Sequence, residues 1–336
     1  MQALRRRRVW IVSFIFIGLM MSVSVLSLNS GAVSISPSEV WLTLTGQGSK
    51  IQNFTLLDLR LPRMIAAILI GGGLAISGAI MQGLSRNILA DPGLMGVHSG
   101  AGLSIVLLMY FVFQSKTITN YNAMSIPFFA FLGAMLTAIS IYMLAWRKGI
   151  LPVRLILVGI GIGEGLRAAY VILSLKLNDE VYMSATVWLA GSLTGTGWSI
   201  IWSTFPWIVT LSLWAFYNYR HLDILSFGES TVASLGIRMD RARLKFLLMS
   251  VGISGACVAA GGGIGFIGLM APHIARRLIG NTYKYVIPVS ALVGALLLLI
   301  CDWCARTMVP KMELPAGILV SAIGAPYFLY LLFRSK

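Results

Sequence analysis

Glu164 and Arg167 stand three residues apart in Gly161-Ile-Gly-Glu164-Gly-Leu-Arg167, within an otherwise apolar run over residues 155–175. Residues at i,i+3 share a helix face. A charge near the middle of a bilayer costs at least about 2.5–3.5 kcal/mol on insertion scales, so neither side chain can face lipid. Such a pair either neutralises itself or serves a solute. A midplane Glu164 is also the group an ion-coupled secondary transporter would use to bind a proton or cation. Asp302 and Arg306, spaced i,i+4 in another apolar run, fit a carboxylate that holds a guanidinium in place. Arg60 and Arg63, in Arg60-Leu-Pro-Arg63, stand at the entry to a further run, where span-end anchoring and recognition at an exposed rim are both open.

Other chemistries lack their residues. The sequence has no G-x-x-x-x-G-K-[ST] loop, no H-E-x-x-H, no G-x-S-x-G and no carboxylate pair in a hydrophilic setting. His98, His221 and His273 are scattered, as expected of hydrogen-bonded structural residues. Cys257, Cys301 and Cys304 lie in apolar stretches without a second pair or a histidine at ligand spacing, so they are expected to be free, packed thiols. No metal or cofactor is expected on this chain. The net charge of +15, from 26 Lys and Arg against 11 Asp and Glu, lacks the aromatic-interleaved basic helix of a nucleic-acid binder. Nucleic acid is therefore excluded as a partner, and any uphill transport must draw its energy from another protein or an ion gradient.

The elements that carry these residues are membrane spans. Of 336 residues, 57% are hydrophobic and only 11% charged, against about 25% charged in soluble domains. Apolar runs reach the roughly 18 residues that cross about 30 Å of hydrocarbon. A soluble enzyme, a disulfide scaffold, a disordered chain and a coiled coil are excluded. Ten spans are expected: 9–28, 64–84, 94–113, 124–146, 155–175, 199–217, 246–262, 264–280, 286–304 and 315–333. The first follows four arginines and exceeds the core of a signal peptide, so it counts as a span. With the N-terminus inside, 18 of the 26 basic residues fall on cytoplasmic segments and 7 on outer ones. That asymmetry places both termini in the cytoplasm. The expectation is an all-α polytopic fold, residues 1–336 forming one transmembrane domain. Gly71–Gly73 and Gly261–Gly263 each precede an arginine, Arg86 and Arg276, by 13 residues, a spacing that hints at related halves.

Residues 29–63 and 176–198 are long outer segments, the second with Trp188 as an interfacial anchor. The largest cytoplasmic segment is 218–245, between spans six and seven. There Glu229–Leu235 predicts a short helix, Gly236 a left-handed stop, and Met239–Lys245 a basic restart. Composition alone leaves a solvated connector and a rigid knob for a partner both open.

Seven motifs narrow the choice. Arg60-Leu-Pro-Arg63, Ser77-Gly-Ala-Ile-Met-Gln82, Arg86-Asn-Ile-Leu-Ala-Asp-Pro-Gly93, Ala233-Ser-Leu-Gly236, Gly265-Phe-Ile-Gly-Leu-Met-Ala-Pro-His273-Ile-Ala-Arg276, Asp302 with Arg306, and Glu313-Leu-Pro-Ala-Gly317 occur in this order from near residue 55 to the end. Together they resemble the FecCD-type permease subunits of ABC importers for ferric siderophores and vitamin B12. The resemblance implies a ten-span permease in a bacterial cytoplasmic (inner) membrane, paired with a second, homologous or identical permease. It implies two copies of an ATP-binding cassette ATPase below, which hold the ATP and Mg, and an extracytoplasmic siderophore-binding lipoprotein or periplasmic protein above. It further implies that Gly228, Glu229, Ala233, Leu235, Gly236 and Arg238 belong to coupling helices seated on the ATPase. Arg60, Arg63 and Arg306 match positions that pair with acidic residues of the binding protein, where rim guanidiniums favour orientation and on-rate. Glu164 and Arg167 depart from the family pattern, which has small or uncharged polar residues on this pathway-lining helix. They either pair, or Arg167 offers positive potential to an anionic ferric complex. The cargo expected is a ferric siderophore, with cobalamin or haem as alternatives inside the family.

Overall fold

Nearly every apolar run becomes a helix in the computed structural model, which describes residues 2–30, 35–93, 95–114, 125–146, 152–225, 239–308 and 313–334. No strand occurs among the described residues. In order the helices are α1 (Gln2–Asn29), α2 (Pro37–Leu44), α3 (Lys50–Asn53), a π-helical stretch (Phe54–Arg60), α4 (Leu61–Ser85), α5 (Val97–Gln114), α6 (Ser125–Ala145), α7 (Pro152–Ser174), α8 (Asp179–Leu189), α9 (Trp198–Tyr217) and α10 (Tyr219–Leu225), then α11 (Met239–Gly261), α12 (Ile267–Ile279), α13 (Tyr283–Thr307) and α14 (Ala316–Arg334). Eight stretches of described helix are long and apolar enough to cross a membrane. A ninth, α5, has a shorter apolar stretch, Val97–Val112.

Two expectations about boundaries change. The described residues of the segment expected outside, 29–63, are largely helical, because Ser36 with Glu39 and Ser49 with Gln52 form capping boxes that start α2 and α3. From Lys50 the helix runs unbroken through the π-turn into α4, giving one stretch of 36 residues. The span expected at 264–280 is the 13-residue helix α12, which at 1.5 Å per residue covers only about 20 Å. Gly262 at φ +71° and Phe266 at φ +64° break the run between α11 and α12. The broken backbone is covered by protein, as membrane depth demands: a Cβ on Gly262 would collide with the Trp188 carbonyl oxygen at the end of α8.

α4, α11 and α13 form the core. Some 72% of the most apolar stretch of Lys50–Ser85 is buried and 83% of that of Ala242–Gly261, against 17% for Val153–Ser174. α4 and α13 touch backbone to backbone, where Gly71 faces Gly294 and neither has room for a methyl group. Such small-residue contact drives helix association where lipid is as apolar as the side chains.

Candidate functional site

At the end of the bundle where α4 begins, Pro62 sits in the first turn of α4 and Arg63 follows it, directed at α13. Arg63 Nε donates to Asp302 Oδ1 at 2.8 Å and its Nη1 to Glu313 Oε2 at 2.6 Å. Thr194 Oγ1 donates to the same Glu313 oxygen at 3.0 Å. Asp302 Oδ2 lies 3.3 Å from Arg306 Nε as an ion pair. Arg306 also donates to the Ser27 hydroxyl, and Arg60 to the Leu28 carbonyl, both on α1. Three guanidiniums and two carboxylates thus pin α1, α4, α13, the segment entering α14 and the 192–196 turn to one another.

The rim arginines are not exposed in this chain: Arg60 and Arg63 are 7% and 8% accessible, and the Arg306 side chain 8%. The sequence leads one to expect these guanidiniums at an exposed rim; within this chain they are enclosed. In low-dielectric surroundings a cation takes an acidic partner from its own fold, and Asp302, itself wholly buried, supplies one. The exposed member is Glu313, whose side chain is 49% accessible. Burial alone would raise its carboxyl pKa, but the hydrogen bond and charge of Arg63, helped by Thr194 and Arg306, hold it below the ordinary value. Glu313 sits in a motif visible in the sequence, yet nothing local identified Arg63, 250 residues away, as its partner.

On α7 the geometry is the opposite. Glu164 Oε1 and Arg167 Nη1 are 3.9 Å apart, with side chains 68% and 62% accessible. Leu157 and Ile172 are exposed on the same helix. Gly159 and Gly163 abut Met95 and Gly96 inside the fold, whereas Gly161 and Gly165 face open space. Two small-xxx-small ladders therefore run along α7, one used within the chain and one left open.

The opposite end of the bundle is a hydrogen-bonded junction. Asp223 Oδ1, on α10, accepts from the backbone N–H of Tyr283 at 2.8 Å and so caps α13. Burial pushes the Asp223 carboxyl above its ordinary range, with the Tyr283 N–H and Arg5 acting against that shift. Arg276 donates to the Gln82 side chain and, at 3.1 Å, to Tyr283 Oη. Arg86 Nε donates to the Leu225 carbonyl, the last of α10, at 3.0 Å. Lys245 Nζ donates to Asn218 Oδ1 at 2.8 Å and stacks over Trp214. These contacts hold both ends of the expected coupling segment, 218–245. Gly228, Glu229, Ala233, Leu235, Gly236 and Arg238 themselves lie outside the described residues.

Cys257 and Cys301 are buried free thiols. Among the described residues no cluster of three or more His, Cys, Asp or Glu is placed to hold a metal. His273 Nδ1 is 2.7 Å from Tyr327 Oη on α14, a structural contact. Among the described residues the chemistry on offer is thus one ionic clamp, one exposed in-span ion pair and one hydrogen-bonded junction.

Comparison with known proteins gives a consistent result. The pattern of the FecCD transport family matches residues 19–334. The iron(3+)-hydroxamate import system permease protein FhuG of Bacillus subtilis (strain 168) is 42% identical over 93% of this chain and 93% of its own length. The iron-uptake system permease protein FeuC of the same organism is 42% identical over 96% of this chain and 97% of its own. A solved structure, an inward-facing conformation of a metal-chelate type ABC transporter, is similar with a TM-score of 0.83 and 28% identity, covering 96% of this chain and 98% of that one.

Proposed function

The chain belongs to the FecCD transport family and is a multi-pass permease subunit of an ABC transporter; from that premise we propose that it moves a ferric siderophore inward across a bacterial cytoplasmic membrane. Both termini face the cytoplasm, residues 1–336 form one permease domain, and residues 218–245 are its coupling segment. The complex pairs it with a second permease, homologous or identical, and two ATPase subunits that hold ATP and Mg, the chain having no nucleotide site of its own. An extracytoplasmic siderophore-binding protein delivers the cargo. The iron-hydroxamate and iron-uptake permeases at 42% identity support this reading, with a hemin permease at 38% keeping haem as the alternative cargo within the family.

The observation that carries the reading is the open face of α7. A charged pair that lipid excludes is exposed there beside two glycines with nothing packed on them. That face suits the wall of a path shared with a second permease, with Arg167 offering positive potential to an anionic ferric complex. At the Arg63 end the three arginines brace the docking surface from beneath, and Glu313 is the group that reaches solvent. At the other end, Gly236 and its neighbours seat on the ATPase, so closure of the nucleotide-bound ATPase dimer moves α10 and α11.

The test is uptake of a ferric hydroxamate into vesicles holding the purified complex and its binding protein. Uptake that requires internal ATP and survives an uncoupler is expected. Uptake that collapses with the uncoupler and ignores ATP would instead assign Glu164 to an ion-coupled transporter.

A further inference from the structure

α10 is a short helix of seven residues, Tyr219–Leu225, at the start of the 218–245 segment and just before the residues expected to seat on the ATPase. It is gripped at two points by the two helices that run to the ionic clamp. The first is Asp223, whose carboxylate caps α13 across a gap of 60 residues by accepting from Tyr283 N–H. The second is Arg86, directly after α4, which binds the terminal carbonyl of α10. Arg86 adopts φ +51°, ψ +29°, a left-handed conformation that a helix end ordinarily gives to glycine. An arginine there accepts backbone strain, and its guanidinium is used on the partial negative charge of another helix's C-terminus.

From these grips the load path is continuous. α4 and α13 are locked together at Gly71 and Gly294 without room for a methyl. Their far ends are joined by Arg63 and Asp302. α13, with 25 residues, spans about 37 Å and carries Pro288 between Tyr283 and Gly294. The backbone contact at Gly71 and Gly294 resists sliding between α4 and α13, which favours movement of the two as a pair.

We infer that Asp223 and Arg86 are positioning residues that transmit ATPase-driven movement of the coupling segment, through α10, to the α4–α13 pair and the ionic clamp at its far end. The inference rests on the ABC importer reading. Asp223 acts as an acceptor, so an amide oxygen suffices in its place. Arg86 acts through its guanidinium, so glycine keeps the backbone and loses the grip.

The assembled complex in vesicles, given a ferric hydroxamate and its binding protein, tests this by the ratio of cargo taken up to ATP hydrolysed. Asp223→Ala and Arg86→Gly are expected to lower that ratio about tenfold while ATP hydrolysis stays within twofold. Asp223→Asn is expected to restore it to within twofold of wild type. Arg86→Gly relieves backbone strain, so it gives a folded variant even if Asp223→Ala does not assemble. An unchanged ratio in Arg86→Gly, or uptake and hydrolysis falling in parallel, would overturn the inference and leave these residues a merely structural role. A wild-type complex that hydrolyses ATP without ATP-driven uptake would overturn the importer reading itself, and the inference with it.

Discussion

α4 and α7 each carry an arginine and a set of glycines through an apolar span, the arginine paired with acids of other elements in α4 and with an acid of its own helix in α7, and they put them to opposite uses. In α4, Arg63 is enclosed with Asp302 and Glu313, and Gly71 and Gly78 are filled by the backbones of α13 and α12. In α7, Arg167 and Glu164 are more than half exposed, and Gly161 and Gly165 meet nothing. One helix has spent its polar and small residues on its own fold. The other holds them toward something outside it, and since lipid accepts neither charge, that something is protein or water. On the proposed function, the difference separates the scaffold from the conduit.

The comparison breaks most readily at Asp302. Asp302→Ala leaves the buried guanidiniums of Arg63 and Arg306 without their shared carboxylate, and removing one partner of a buried pair costs about 3–5 kcal/mol. Thermal unfolding in detergent is expected to show the largest loss of any substitution discussed. Next are the glycines. Gly78→Ala drives a methyl into the Gly268 carbonyl, an overpacking cost of about 1–3 kcal/mol, whereas Gly161→Ala meets open space and leaves the unfolding temperature unchanged. Equal shifts in the two would show that the α7 ladder is already used within the chain.

Arg167→Ala sharpens the contrast. Breaking an exposed pair is expected to cost less than about 1 kcal/mol, yet ATP-driven uptake is expected to fall severalfold. Undiminished uptake with lowered protein abundance would leave Arg167 only a packing role. The smallest effect is at Glu313, whose carboxyl lies below its ordinary value through Arg63. A depressed acid stabilises the fold above its unfolded pKa of about 4.3, and that contribution is lost as pH falls through the lower folded value. Half exposure limits it to under about 1 kcal/mol. Unfolding temperatures measured down the acid limb are expected to converge between wild type and Glu313→Gln.

Hydropathy made most of the helices legible, because crossing hydrocarbon demands long apolar runs whatever they pack against. It also put Glu164 and Arg167 on one face, a purely local consequence of i,i+3 spacing. The broken span at 264–280 was hidden because α12 depends on two left-handed residues, Gly262 and Phe266, seated against the end of α8. The clamp was half legible: the i,i+4 relation of Asp302 to Arg306 is local, but the bond from Arg63 to Asp302 spans 239 residues. Asp223 carried no sequence signal, and Arg86, though it opens a motif, gave no sign of its partner, since each acts on a backbone atom of another helix.

The central claim is that the α7 face lines a protein or aqueous path, and nitroxide accessibility tests it directly. A spin label at position 164 of the assembled complex in vesicles is expected to collide poorly with oxygen, which concentrates in lipid, while a label at Trp202, exposed on α9, collides freely. Oxygen collision at position 164 equal to that at position 202 would place α7 against lipid and contradict the account.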